Sequence, residues 1–371
     1  MATARFFSLP DSVKQLSDSG ALSSVPTHYA CRDPDAPSDV DPTLEGQIPT
    51  IDLSVLTEGD PARRSQMVRQ LGRACEEWGF FVVVNHGVPE TVREAMLTAA
   101  QGLFDLEEEE KAEHSGKHVM DPIRYGTSFN SKVDDLGYWR DYFKIVVHPA
   151  FHSPAKPLGF REALGQYAAC TRVVGMELLR GMWESLELDE GYMNNALDLD
   201  ACFQVCAVNL YPPCPQPELA MGLPPHSDHS LLTLLHQNGV DGLQVKHGSK
   251  WVHVKPPPNS FLVNTGDQME VQERAAPGRH QWPKHEDVDR YRGGSFAGHG
   301  GGTSRPTGEP REASHVQRSE IQGVPRAPTA EQALGEVSPR PSESAMIAYW
   351  SPVIEDDEQS TLLNTEYVLD R

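Results

Sequence analysis

The chain has 371 residues, enough for one large domain or two ordinary ones with a substantial core. Its 53 acidic against 32 basic residues give a formal net charge of -21, which repels nucleic acid and anionic membrane faces and suits a small-molecule enzyme. The six cysteines, at 31, 75, 170, 202, 206 and 214, lack zinc-like pairing, no apolar leader opens the chain, and no run reaches about 18 uncharged apolar residues. A cytoplasmic, monomeric, soluble protein with free thiols is expected.

Residues 1–45, rich in Ser, Pro and Asp, read as an N-terminal arm leading into a strand at Ile48–Leu53. In the region 46–150, Met67, Leu71 and Cys75 recur at helical spacing between Ala62 and Trp78, and the pattern then switches to the buried strand Gly79–Val84. Asn85-His-Gly-Val-Pro89 punctuates that strand and starts a helix running to about Phe104. The run Glu107–Glu110, ending in Lys111, reads as a solvated helix face. Residues 151–200 form a helical linker region with a helix from roughly Phe160 to Leu186. Strands follow in 201–271, at Phe203–Tyr211, Leu231–Leu235, Leu243–Val245, Lys250–Val254 and Phe261–Asn264. Helices first and short strands afterwards predict an α+β protein with a jelly-roll core flanked by N-terminal helices.

After Val271 glycine, proline, arginine and charged residues take over, with large apolar residues scattered singly. Such a stretch cannot bury enough surface to offset its ordering entropy, so Gln272 to Glu343 is expected to be disordered. The whole of 272–371 reads as an aberrant tail that leaves the core incomplete.

The sharpest local signal is Pro224-Pro-His226-Ser-Asp228-His229, directly before an apolar strand. Residues two apart on a strand project to one face, so the His226 imidazole and the Asp228 carboxylate are expected to converge. Two such groups and one distant histidine make the facial triad of non-haem iron(II) oxygenases, with three coordination positions left open. His-x-Asp alone is common, and His229 reads as a surface or supporting histidine.

Context sharpens this reading. Pro49-Thr-Ile-Asp52, Trp78-Gly-Phe-Phe-Val-Val-Val-Asn-His-Gly87, Asn209-Leu-Tyr-Pro-Pro-Cys-Pro215, His226-Ser-Asp-His-Ser-Leu-Leu-Thr-Leu-Leu235 and Asn264-Thr-Gly-Asp267 occur in this order. The set resembles the motifs of plant 2-oxoglutarate- and iron(II)-dependent dioxygenases, the group of flavonoid, gibberellin and salicylate oxygenases. The resemblance covers about residues 46–271. It implies that His226 and Asp228 bind iron(II) and that Asn209 and Tyr211 help hold 2-oxoglutarate. It further implies oxygen as a co-reactant, ascorbate as reductant, and hydroxylation or desaturation of a small plant metabolite.

Two elements of that family do not follow in register: a His-Arg-Ala segment with the third iron ligand, and an Arg-x-Ser whose arginine pairs with the distal carboxylate of 2-oxoglutarate. Back-translated with free wobble bases and read one nucleotide later, Val271 through Arg279 can encode Tyr-Lys-Ser-Val-Leu-His-Arg-Ala. Val316 to Pro325 can likewise encode Phe-Arg-Gly-Val-Lys-Tyr-Arg-Glu-Tyr. The tail therefore reads as a frameshifted translation of an ordinary gene of this family, and the chain as written is expected to have little or no activity. His280 and His285, close to the expected separation from Asp228, are the candidates for a replacement third ligand.

Overall fold

A computed structural model describes residues 12–30, 41–116, 118, 121–128, 137–188, 199, 201–240, 242–269 and 343–351, the last by backbone alone. The helices are α1 (Val13–Asp18), α2 (Leu53–Glu58), α3 (Pro61–Glu77), α4 (Glu90–Phe104), α5 (Glu108–Ala112) and α6 (Phe160–Ser185). The strands are β1 (Thr50–Asp52), β2 (Phe80–Val84), β3 (Ile123–Thr127), β4 (Asp141–His148), β5 (Phe203–Tyr211), β6 (Leu232–Gln237), β7 (Gln244–His247), β8 (Lys250–His253), β9 (Phe261–Thr265) and β10 (Glu343–Ser351).

Local chemistry sets the element starts. Asp60 accepts hydrogen bonds from Ala62 N and Arg63 N, and Pro61 takes the first helical position of α3, where its missing N–H costs nothing. Asp52 caps α2 through Ser54 N. The apolar run of β2 is buried at its three central residues, as a strand covered on both faces requires.

Eight strands form one sheet in the order β1-β2-β9-β6-β10-β5-β4-β3, and β7 and β8 form a separate antiparallel pair. Strand pairing fixes which residues share a face. Tyr142 lies opposite Asn209, Tyr349 lies opposite both Val205 and Thr233, and Thr233 lies opposite Asn264. Asn209, Thr233 and Asn264 thus share one face by the period-two alternation of strands. The other face presents Phe81, Val83, Phe143, Ile145, Cys206, Val208, Leu232, Leu234, Phe261 and Val263 to α3, α4 and α6 in the main apolar core. The β7–β8 pair covers part of the first face, packing Val245 and Val252 against Val82 and Leu262.

Several expectations are corrected. Glu343–Ser351, placed outside the fold by the sequence reading, is a nine-residue strand paired antiparallel with both β5 and β6, so this part of the tail completes the sheet. Its sequence ESAMIAYWS carries a continuous apolar run from Ala345 to Trp350, a strand-like composition. Residues 270–342 and 352–371 lie outside the described residues, and the expected disorder and shifted reading frame fall there. In the helical region 151–200, the 26-residue α6 buries Phe160, Leu164, Tyr167, Leu178 and Met182 in the core. Within the N-terminal arm Ser12 caps α1, and buried Asp141 accepts from Val13 N and Lys14 N. Lys111 is buried, not solvated, with Nζ donating to Phe104 O and paired to Glu108.

The core also holds titratable groups. Under α4, the Arg93 side chain reaches His236 at 3.3 Å, and His86 accepts from Val88 N while meeting Asn259 O. Burial first, and the Arg93 charge second, lower both imidazole pKa values from 6.5 to about 4. Both histidines are therefore neutral when folded, and the unfolded chain binds more protons between those values. Stability is expected to fall as pH drops from 6.5 towards 4. His236→Gln should flatten that slope in denaturant titrations, and an unchanged slope would contradict the assignment. Phe143, fully buried against Phe104 and Tyr125, should cost about 3–5 kcal/mol on replacement by alanine, read as a lower midpoint of urea unfolding.

Candidate metal centre

His226 and Asp228 converge, with His226 Nε2 3.6 Å from Asp228 Oδ1, but strand alternation is not the cause. Residues 224–229 have no regular secondary structure, and β6 starts only at Leu232. The loop is shaped instead by lacing to the turn after β9. Asp267 N donates to Asp228 O at 2.8 Å, Gly266 N to Leu231 O at 3.1 Å, and Gln268 N to Ser230 O at 3.3 Å. A Cβ on Gly266 would lie 2.0 Å from Ser230 O and 2.7 Å from Asp228 O, so only glycine permits this approach.

The two side chains are oriented by separate partners. Pro224 O, which can only accept, lies 2.9 Å from His226 Nδ1, so the proton sits on Nδ1 in the neutral ring and the lone pair on Nε2 faces Asp228. Asn264 Nδ2 donates to Asp228 Oδ2 at 2.9 Å and leaves Oδ1 on the histidine side. Burial works to lower the His226 pKa, but hydrogen bonding and charge attraction to Asp228 reverse this to a net rise, against a smaller opposing effect of Arg140. Burial alone would raise the Asp228 pKa, yet His226, Asn264 and Thr233 hold it well below the usual carboxylate range. An ionised carboxylate beside a correctly oriented imidazole nitrogen is a donor pair suited to a divalent cation.

His229 meets Asp267 Oδ2 at 2.9 Å, and Ser227 Oγ donates to the same oxygen at 3.1 Å. Among the described residues, no group of three or more His, Cys, Asp or Glu side chains is placed to hold a metal ion. His280 and His285 lie outside the described residues.

Asn209 and Tyr211 occupy the end of β5 on the face shared with Thr233 and Asn264. Asn209 is 2% exposed; its Oδ1 accepts from Arg140 Nη1 at 3.3 Å, and its buried Nδ2 has no hydrogen-bond partner among the described residues. Tyr211 is half-buried, and its ring packs so close to Gly222 that a Cβ there would come within 2.6 Å. Arg140 was not singled out by the sequence reading. Its signal was a charged residue within the alternation Arg140, Tyr142, Lys144, whose intervening residues Asp141 and Phe143 are fully buried.

The matches to known families cover both halves of this arrangement. Residues 48–163 match the family described as non-haem dioxygenase in morphine synthesis N-terminal, and residues 200–293 match the 2OG-Fe(II) oxygenase superfamily. The 2-oxoglutarate-dependent dioxygenase 19 of Oryza sativa subsp. japonica is 51% identical over 252 residues, which cover 68% of this chain and 74% of that protein. Protein DMR6-LIKE OXYGENASE 1 of Arabidopsis thaliana is 39% identical over 261 residues, or 69% of this chain and 73% of its own length. Among solved structures, JOX2 in complex with 2OG, Fe and JA superposes with a TM-score of 0.65 at 23% identity, covering 93% of this chain and 84% of JOX2. That likeness gives the fold, the jelly-roll core of 2-oxoglutarate oxygenases with helices around it, and the sequence relatives give the kinship. The chain belongs to the plant 2-oxoglutarate- and iron(II)-dependent dioxygenases.

Proposed function

We propose that this chain binds iron(II) through His226 and Asp228 and 2-oxoglutarate beside Asn209 and Tyr211, to hydroxylate or desaturate a small aromatic or terpenoid plant metabolite. The observation that carries the reading is the convergence of His226 Nε2 and Asp228 Oδ1, each oriented by a separate hydrogen bond. When bound, iron(II) supplies the redox chemistry that couples decarboxylation of the cosubstrate to substrate oxidation, with oxygen as oxidant and ascorbate as reductant.

The residues themselves provide position and charge. His226 offers Nε2 while Pro224 O holds its Nδ1 proton, and Asp228 offers Oδ1 while Asn264 holds Oδ2. Asn209 Nδ2 is a buried donor lacking an acceptor among the described residues, which fits the arrival of an oxygen-rich guest. The packed apolar face behind the sheet keeps these groups on a rigid support. The protein acts as a monomer in the cytoplasm.

A second reading is a product with weak iron binding and little turnover, because only two donors meet at the site among the described residues. The two readings separate in one experiment on the full chain. Succinate release is measured with iron(II), ascorbate and 2-oxoglutarate, alongside Mn(II) affinity. Robust succinate release favours the first reading, and metal binding with near-background release favours the second. Under either, His226→Ala should abolish specific Mn(II) binding, and Asn264→Ala should weaken it by about 10–100-fold through the freed Asp228 carboxylate. Wild-type Mn(II) affinity in His226→Ala would reject the metal assignment. If His280→Ala or His285→Ala removes turnover, that histidine is the third ligand.

A further inference from the structure

The chain between the end of β5 and the metal pair has few means of holding itself. It opens as Pro212-Pro-Cys-Pro-Gln-Pro217, and proline carries no N–H, so this stretch has few donors with which to bond its own carbonyls. The donors come from elsewhere. Trp139, at the entry to β4, donates from Nε1 to Pro212 O at 2.9 Å and from its backbone N to Met221 O at 2.8 Å, so one residue grips the connection at both ends. The N-terminal segment adds two more bonds: Ser17 Oγ donates to Pro213 O at 2.8 Å, and Val25 N donates to Gln216 Oε1 at 3.1 Å.

That segment is itself seated on the body of the protein. Buried Asp141 accepts from Val13 N and Lys14 N at the start of α1, Ser12 Oγ donates to Glu108 Oε1 at 2.8 Å, and Gly137 N donates to His28 O at 2.7 Å. A Cβ on Gly137 would lie 2.6 Å from His28 Cδ2 and 2.8 Å from Tyr29 Cδ1, so a side chain there would displace both rings. Val13, Val25 and Tyr29 form a separate apolar cluster with Trp139, and Cys214 and Ala220 of the connection pack against it. Tyr29 meets Trp139 edge-to-face at 5.3 Å. The connection is thus enclosed between Trp139 and the N-terminal segment, and it leads from Tyr211 into Pro224, whose carbonyl orients His226.

We propose that residues 12–30 act as a clasp on the metal loop, with Trp139 as the positioning residue through which the clasp sets how tightly His226 and Asp228 hold their cation. The inference rests on reading His226 and Asp228 as the metal pair. The loop then has two anchors: the turn after β9 fixes Asp228 and Ser230 from one side, and the clasp fixes the approach to Pro224 from the other. An unheld connection would spread the His226 ring over many orientations, and metal binding would have to offset that lost freedom.

In the full chain without oxygen, Mn(II) affinity is read by electron paramagnetic resonance and amide hydrogen exchange is mapped by mass spectrometry. Ser17→Ala, and Trp139→Phe, which keeps a ring beside Tyr29, should each weaken Mn(II) binding by about three- to tenfold, less than the roughly 10–100-fold expected of a group bonded to a ligand. Both should also speed exchange across residues 214–223. Val68→Ala, which thins the core under α3, should lower the melting temperature without moving Mn(II) affinity. If Trp139→Phe fails to fold, Ser17→Ala, at a half-buried hydroxyl, decides the question. Wild-type Mn(II) affinity in the folded variants overturns the proposal, whether or not exchange quickens. An equal loss of affinity in Val68→Ala overturns it too, because general destabilisation then accounts for the effect. Should the wild type fail to bind Mn(II), the metal reading falls; faster exchange in both variants then keeps the clasp, and unchanged exchange removes it.

Discussion

The strand register is the constraint on which the rest of this molecule depends. Because side chains alternate with period two, a one-residue slip of β5 against β4 or β10 would send Asn209 into the helix layer and Val208 to the site. The apolar face forbids that slip. Phe143, Ile145, Cys206, Val208, Leu234 and Phe261 are all buried against the helices, and a slip of β5 would turn Cys206 and Val208 out of that layer together. The polar face is thus specified by the packing of its opposite.

Two further contacts turn that face into a site. The close approach of Gly266 to Ser230 ties the His226–Asp228 loop to the turn after β9, so the donor pair is positioned by backbone hydrogen bonds and not by a strand. On the far side, buried Asp141 accepts from Val13 N, Lys14 N and Thr127 Oγ1, and burial pushes its pKa up against those hydrogen bonds. Trp139 Nε1 donates to Pro212 O at 2.9 Å, joining the start of β4 to the residue after Tyr211. Arg140 lies between these two anchors, which hold it from both sides of the chain.

Much of this was legible in the residues. Regular periodicity announced α3, α6, β2, β5 and β9, and Asn209, Tyr211, His226 and Asp228 stood out through ordered motifs with tight spacing. The geometric reason offered for His226 and Asp228 was wrong in kind, because loop lacing from a turn some forty residues later has no local signature. Strand β4 went unread because Asp141 and Lys144 interrupt its apolar run, although Phe143, Ile145 and Val147 alternate correctly. β10 was masked by its surroundings, since an apolar stretch after seventy polar and glycine-rich residues carries no cue about a partner so distant in the chain. Arg140 was invisible for a related reason, as only the fold brings it to Asn209.

The central claim is that the loop laced to the turn after β9 holds His226 and Asp228 as an oriented donor pair for a divalent metal. A crystal structure of the full chain grown with Mn(II) and 2-oxoglutarate tests it most directly. The account predicts anomalous density for the metal within bonding distance of His226 Nε2 and Asp228 Oδ1. Metal bound away from His226 and Asp228 would contradict it.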